Sequence, residues 1–446
     1  MRARHNLTQG DVRGHLWRLG MPMVVGIIAV MSIGLADAWF LGQLGTAELA
    51  AISFTFPVSF AIASVAIGLG AGASSVVSRA IGIGDRQRVR RLASDSLLLA
   101  VLVVAVLSLV GWWSSRPLFS ALGADGEVLE LVLVYMDIWY FGMPFLVVPM
   151  VAGSLLRANG DARIPSLTMV LSAVVNVLLD PLLIFGWGAV PALGMEGAAW
   201  ATVIARAFSF ALALSVLIWR ERMLALGRAS WAEVKSSWTE VVRVGVPASL
   251  ANMINPLSLA LLTAILARYG DETVAAFGVA GRIEALAAIP MLALSASIGP
   301  IVGQNHGADL PLRCRAALLD SFLFCVGWGV LTALLFWFVG DALAAVFSDD
   351  AAVVREITRY LHIVPLTLGG YGVVIVAAAA YNALGLGFRA MGFYLLRSVL
   401  LSLPLAWLAS HWFASTEVFV ALAVANVLAG AWVARRALAG AELGCD

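Results

Sequence analysis

Twelve runs of apolar residues divide this chain of 446 residues, and each is long enough to cross a lipid bilayer. They cover roughly 18–42, 50–79, 93–114, 129–156, 165–187 and 197–219, then 244–268, 275–303, 316–340, 353–381, 390–410 and 417–434. A helix of about 20 residues spans the hydrocarbon core of a bilayer. Inside lipid every backbone N–H and C=O must be satisfied within the protein, which leaves only helices and closed barrels. Barrel strands would alternate apolar and polar residues. These runs do not alternate, so the pattern predicts an all-α polytopic membrane protein. Composition agrees: 61% of residues are hydrophobic and 12% charged, against about 45–50% and about 25% in soluble domains. A soluble enzyme, a nucleic-acid binder and a disordered scaffold are excluded on that ground. The first run is too long for a cleavable signal peptide and reads as an uncleaved span.

Charge placement orients the spans. Counting Lys235 with the arginines, twenty-one basic residues fall on the N-terminal side of the membrane, among them Arg2, Arg4, Arg13, Arg18, Arg79, Arg86, Arg157, Arg220, Arg228 and Arg313. Four fall on the other side: Arg116, Arg268, Arg355 and Arg359. Basic residues concentrate in cytoplasmic loops, so both termini are expected in the cytoplasm.

The two halves repeat at a constant offset. Arg18, Gly20 and Pro22 match Arg243, Gly245 and Pro247; Gly82 falls on Gly307 and Gly160 on Gly385. An offset of 225 residues separates each pair, and six spans fit inside it. Equivalent spans therefore insert the same way, related by a pseudo-two-fold axis along the membrane normal. The expected organisation is an N-lobe over 1–219, a cytoplasmic amphipathic linker over 220–243 and a C-lobe over 244–446. Two facing six-helix bundles suit alternating access, in which the cleft between them opens to one side at a time.

Ionisable groups inside spans are costly and point to function. Asp37 lies in the first span, Asn176 and Asp180 share one face of the fifth, and Thr202 lies in the sixth. All four are oxygen donors, and the carboxylates and threonine lie roughly 8–10 Å below the outer surface at 1.5 Å per residue. The offset carries Asp37 to Leu262 and Asp180 to Leu405, so the acidic pair belongs to one lobe. Buried carboxylates can carry a proton, the same oxygens can hold Na⁺, and a hydrogen-bonded knot fastening three helices is the structural alternative. No other metal site is expected.

Asp137, Tyr135, Tyr140, Met31, Met143, Asn252, Met253 and Asn255 are candidates to line a cavity. Pro22 is a candidate kink, Arg206 a partner for a carboxylate, and Arg282 with Glu284 a structural or gating pair.

Residues 176–205 (NVLLDPLLIFGWGAVPALGMEGAAWATVIA) resemble the signature of the MATE family, the multidrug and toxic-compound extrusion transporters. So do LGMP at 19–22, ADAWFLGQLGTAELAA at 36–51, FGMPF at 141–145, LLRANGDARIP at 155–165 and VGQNHGA at 302–308. Acidic residues at Asp37 and Asp180 with Asn176 beside them resemble the DinF-like branch, where these positions and Thr202 form an N-lobe cation site. The NorM-like branch adds acidic residues in the seventh and tenth spans. Here Asn252, Asn255 and Tyr371 stand in those regions, so no C-lobe cation site is implied.

The resemblance implies an antiporter of the inner membrane that exports organic, commonly cationic amphipathic compounds in exchange for H⁺ or Na⁺. The alternative is a flippase for lipid-linked precursors, which shares the architecture but needs a strongly cationic cavity. No enzyme activity, organic cofactor, nucleic acid or ATP is expected, and the working unit is expected to be a monomer.

Overall fold

The computed structural model of the protein describes residues 6–188, 190–225, 230–412 and 414–440. Arg2, Arg4 and Arg228, counted above among the N-terminal-side basic residues, lie outside the described residues. Eleven helices among the described residues are long and apolar enough to cross a membrane: α1 Val12–Gly42, α2 Thr46–Ile83, α3 Arg86–Ala121, α4 Gly126–Ala158, α5 Arg163–Ile184, α6 Met195–Arg220, α7 Trp231–Tyr269, α9 Pro311–Phe347, α10 Ala351–Ala383, α11 Gly387–Trp412 and α12 Ser415–Leu438. Between α7 and α9, Asp271–Ala287 and Ile289–Gly307 meet at a 46° bend and complete a twelfth span, α8.

The bend has a local cause. Pro290 lacks an N–H and its ring crowds the carbonyl four residues back. The indole Nε1–H of Trp328 on α9 donates to the Ala287 carbonyl at 2.8 Å, satisfying an acceptor beside the break. By contrast, α1 stays helical through Pro22, whose carbonyl accepts from the Ser166 hydroxyl on α5.

Corresponding turns in the two halves adopt the same backbone. Gly160 closes the α4–α5 turn at φ +85° and Gly385 the α10–α11 turn at φ +84°. This left-handed conformation favours glycine.

Among the described residues the expected linker does not form a helix separate from the seventh span. Ser230 caps a helix reciprocally with Glu233, and the amphipathic stretch from Trp231 runs unbroken into α7. Nothing between Trp231 and Pro247 ends a helix, so the linker became the first turns of the seventh span. It is fastened to α3 by the Trp238 indole N–H, which donates to the Asp95 carbonyl at 3.0 Å.

Six helices build each lobe, and the lobes join at one end. Val132, Met136, Tyr140, Leu155 and Leu156 fill the N-lobe core. Leu16, Leu19 and Met23 of α1 cross over to share a buried cluster with Met291, Leu294 and Ile298 of α8. Small residues let backbones approach closely there, as at helix contacts in membranes. A β-carbon at Gly72 would come 2.3 Å from the Val241 carbonyl oxygen, and one at Gly82 would come 2.1 Å from that of Gln304. The amide of Gln304 donates to the Ala158 carbonyl at 2.7 Å while its oxygen accepts from the Leu7 N–H at 3.1 Å.

The seam is reciprocal. Gly82 abuts Gln304, and Gly307 abuts the Arg79 carbonyl at 2.2 Å from an added β-carbon. These are the same contact carried across the repeat offset, as a two-fold interface requires. At the opposite end Leu35 and Trp39 of α1 and Leu257 and Leu261 of α7 are exposed.

Candidate functional site

Helices α1, α5 and α6 gather the acidic cluster. Positions 176 and 180 share one face of α5 because four residues make about one turn. Thr202 and Arg206 do the same on α6. Asp37 lies five residues before the end of α1, Asp180 four before the end of α5 and Thr202 seven after the start of α6. At 1.5 Å per residue all three sit about 6–10 Å inside the helix ends on one side of the molecule.

The structure brings these groups together. The Asn176 amide donates to Asp180 Oδ1 at 3.3 Å and to Thr202 Oγ1 at 3.4 Å. Asp37 of α1 stands close enough to Asp180 and Asn176 for the three side chains to interact. Asn176 is 1% exposed, Asp180 0% and Thr202 4%. Tyr135 of α4 is buried as well and lies near enough to Asp37 and Thr202 to interact with them. Three acceptor oxygens in this cluster are sealed from solvent without a hydrogen-bond donor: Asp37 Oδ1, Asn176 Oδ1 and Asp180 Oδ2. Unsatisfied buried acceptors are costly, and carboxylates most of all. The arrangement is therefore short of positive charge, and its oxygens could accept a proton or hold a metal cation.

Arg206 does not form an ion pair with the carboxylates. Its guanidinium lies 5.5 Å from the centre of the Trp139 ring, near enough to act on Asp37 and Tyr135 through its field.

Several candidates lie elsewhere. Tyr140 is buried against α3, where a β-carbon on Gly111 would strike its ring, and so it packs a helix interface instead of lining a cavity. Its five-residue spacing from Tyr135 turns it well away from the cluster. Met143 is fully buried in the same core, with the Ser108 hydroxyl 3.3 Å from its sulfur. Asp137 is exposed on another face of α4. Arg282 is exposed and does not pair with Glu284, because residues two apart cannot share a helix face. Glu284 instead accepts from the Tyr360 hydroxyl. Met31, Asn252 and Met253 are half-buried, and the Asn252 amide donates to the Ala248 carbonyl of its own helix.

Asn255 takes part in a second polar cluster that sequence reasoning did not assemble. Its oxygen accepts from Arg397 Nη1 and from the Ser398 hydroxyl, both at 3.4 Å, and its amide approaches the Tyr371 hydroxyl at 3.5 Å. Arg397 Nε donates to Asn426 Oδ1 at 2.7 Å, and its guanidinium stacks 4.2 Å from the centre of the Tyr371 ring. The signal was present, since Arg397 and Asn426 interrupt apolar runs, but their meeting depends on four different helices.

A cavity of about 1020 Å³ lies apart from both clusters, at the lobe-joining end, lined by Arg18, Arg86, Arg90, Arg163, Arg220 and Arg222 among others.

Known proteins share this arrangement. The MatE family profile matches residues 22–182 and again 247–408, two segments whose starts are one repeat apart. A Shewanella oneidensis protein named FAD transporter is 39% identical over 96% of this chain and 95% of its own length. The multidrug export protein MepA of Staphylococcus saprophyticus is 23% identical over 93% of this chain and 90% of its own. Among solved structures, the Vibrio cholerae MATE transporter VcmN in its bent form superposes with a TM-score of 0.90 at 30% identity, covering 96% of this chain and 97% of that one. An outward-facing multidrug resistance MATE transporter gives 0.91 at 25% identity, over 98% and 99% of the two chains. A repeated family profile across both lobes, a relative at this identity over nearly the whole length and the shared twelve-helix fold lead to one conclusion: the chain belongs to the MATE family, whose members are membrane transporters and not enzymes.

Proposed function

We propose that this protein is a cation-coupled exporter of small organic compounds in the inner membrane, with both termini in the cytoplasm. The single observation that carries this reading is the set of donor-less oxygens on Asp37, Asn176 and Asp180. Such a set binds H⁺ or Na⁺, and losing that ion reopens the cost of unpaired buried carboxylates. The cluster sits near the ends of α1, α5 and α6 away from the lobe seam. With the seam on the cytoplasmic side, the ion enters from outside into the N-lobe. Ion and cargo then favour different states, and the difference in affinity couples their movements. One charge moved through 100 mV is worth about 2.3 kcal/mol, roughly a fifty-fold concentration ratio.

The cargo is broader than the cationic amphiphiles expected from sequence. Likeness to a protein named FAD transporter supports a flavin dinucleotide, and likeness to a multidrug export protein supports other organic compounds. The test uses proteoliposomes holding FAD or a fluorescent cationic dye, with pH and Na⁺ gradients imposed separately. Wild type exports under one gradient, and Asp37→Asn does not. Equal export by Asp37→Asn under the effective gradient refutes the coupling assignment.

A further inference from the structure

The C-lobe holds a charge of the opposite sign from the N-lobe cluster. Arg397 lies ten residues into α11, about 15 Å from the end of that helix and near the middle of the span. A charge at that depth is expensive unless it is partnered. Among the described residues no carboxylate comes within 4.0 Å of Arg397. Its contacts are neutral: Asn426 on Nε, Asn255 on Nη1 and the Tyr371 ring on one face. Glu284 accepts from the Tyr360 hydroxyl and acts on Arg397 only through its field, beyond ion-pair distance.

Amide oxygens and an aromatic ring orient a guanidinium without neutralising it. One edge and one face are fixed, while Nη2 makes no hydrogen bond among the described residues and the side chain is only half-buried. The backbone is adapted to this placement. Leu395–Ser402 winds as a wider π-helix, a form that recurs at functional sites, and the Ser402 hydroxyl donates to the Arg397 carbonyl at 2.8 Å. Tyr394 precedes this segment and lies close to Tyr371. The offset carries Arg397 to Ser172 and Asn426 to Ala201, so the cluster is specific to the C-lobe.

A planar, permanently charged fork with free N–H groups matches the geometry of a phosphate oxyanion. We propose that the Arg397 cluster binds a phosphate group of the exported compound, with Asn255, Asn426 and Tyr371 holding the guanidinium in place. This rests on the exporter reading above and specifies its cargo: phosphate-bearing compounds on the C-lobe, coupling cation on the N-lobe. An inside-negative potential then drives both movements, cation inward and anion outward. An anionic lipid headgroup carries the same chemistry and is the competing source of the phosphate.

Binding to purified protein in nanodiscs tests this without requiring transport. FAD and riboflavin share the flavin ring, and only FAD carries phosphates. Arg397→Gln is expected to weaken FAD binding about tenfold or more, the size of a lost charge-assisted hydrogen bond, with riboflavin binding unchanged. Arg397→Lys recovers part of the FAD affinity. Equal loss for both flavins, no loss for either, or no FAD binding by wild type in any lipid overturns the proposal. Nanodiscs of phosphatidylcholine with and without phosphatidylglycerol separate the sources. Competition by phosphatidylglycerol in wild type but not in Arg397→Gln assigns lipid phosphate to the same site, and no competition assigns soluble cargo alone. Failure of wild type to export under any gradient sinks the exporter reading and leaves these affinities measurable.

Discussion

Ser78 and Gly303 touch across the lobe interface: a β-carbon added to Gly303 would lie 2.0 Å from the Ser78 hydroxyl oxygen. The two positions are one repeat length apart, so each meets its own counterpart. In a two-fold interface that happens only on the axis itself. The axis therefore passes through the seam between α2 and α8, where the close approach of the two helices depends on glycine at position 303.

Enlarging a glycine of this seam should open it. Gly303→Leu and Gly307→Val are expected to disfavour the observed state by about 1–3 kcal/mol, the usual cost of overpacking. The Ser75 hydroxyl donates to the Ala383 carbonyl across the seam at 3.2 Å, so a Ser75→Cys with Ala383→Cys pair reports the change by cross-linking yield. An undiminished yield in both enlarged variants would show that the seam adapts without separating.

Thr202→Val removes one oxygen from the N-lobe cluster at nearly constant shape. The half-saturating concentration of the coupling cation should rise by about fivefold to tenfold, as for a lost hydrogen bond of about 1–1.5 kcal/mol. Export rates measured across a cation titration decide it. An unchanged half-saturation value makes Thr202 a packing residue only.

Trp328→Phe keeps an aromatic ring stacked on Phe324 and deletes the donor that serves the Ala287 carbonyl at the α8 bend. A loss of about 0.5–1.5 kcal/mol is expected. Thermal unfolding in detergent should show a lowered midpoint, whereas wild-type stability would mean the carbonyl finds another donor.

Gly160→Ala and Gly385→Ala both place a β-carbon on a left-handed residue, at a cost of about 1–2 kcal/mol. At Gly385 the β-carbon would also lie 3.1 Å from the Arg79 guanidinium, which must give way slightly. Unfolding midpoints of both variants check this, and a midpoint equal to wild type in either would contradict it.

Helix number was readable from the chain because lipid imposes a length and an apolar composition on every span, one segment at a time. The spacing of Asn176 and Asp180 on one face was readable for the same reason, since helical period is a local property. Local rules also misled. Span eight over 275–303 looked continuous, yet Pro290 bends it, and the stretch after Arg220 looked like a separate helix although α7 begins at Trp231.

Sequence by itself determined the twelve spans, the internal repeat and the identity of the costly intramembrane groups. Tertiary structure alone decided which of those groups meet. Tyr135 joins Thr202 while Tyr140 packs against Gly111, and Arg397 finds Asn255 and Asn426 while Arg282 faces outward. The physical reason is that lipid constrains each helix separately through its length and polarity. Rotation and neighbour choice follow from side-chain packing between helices far apart in the chain.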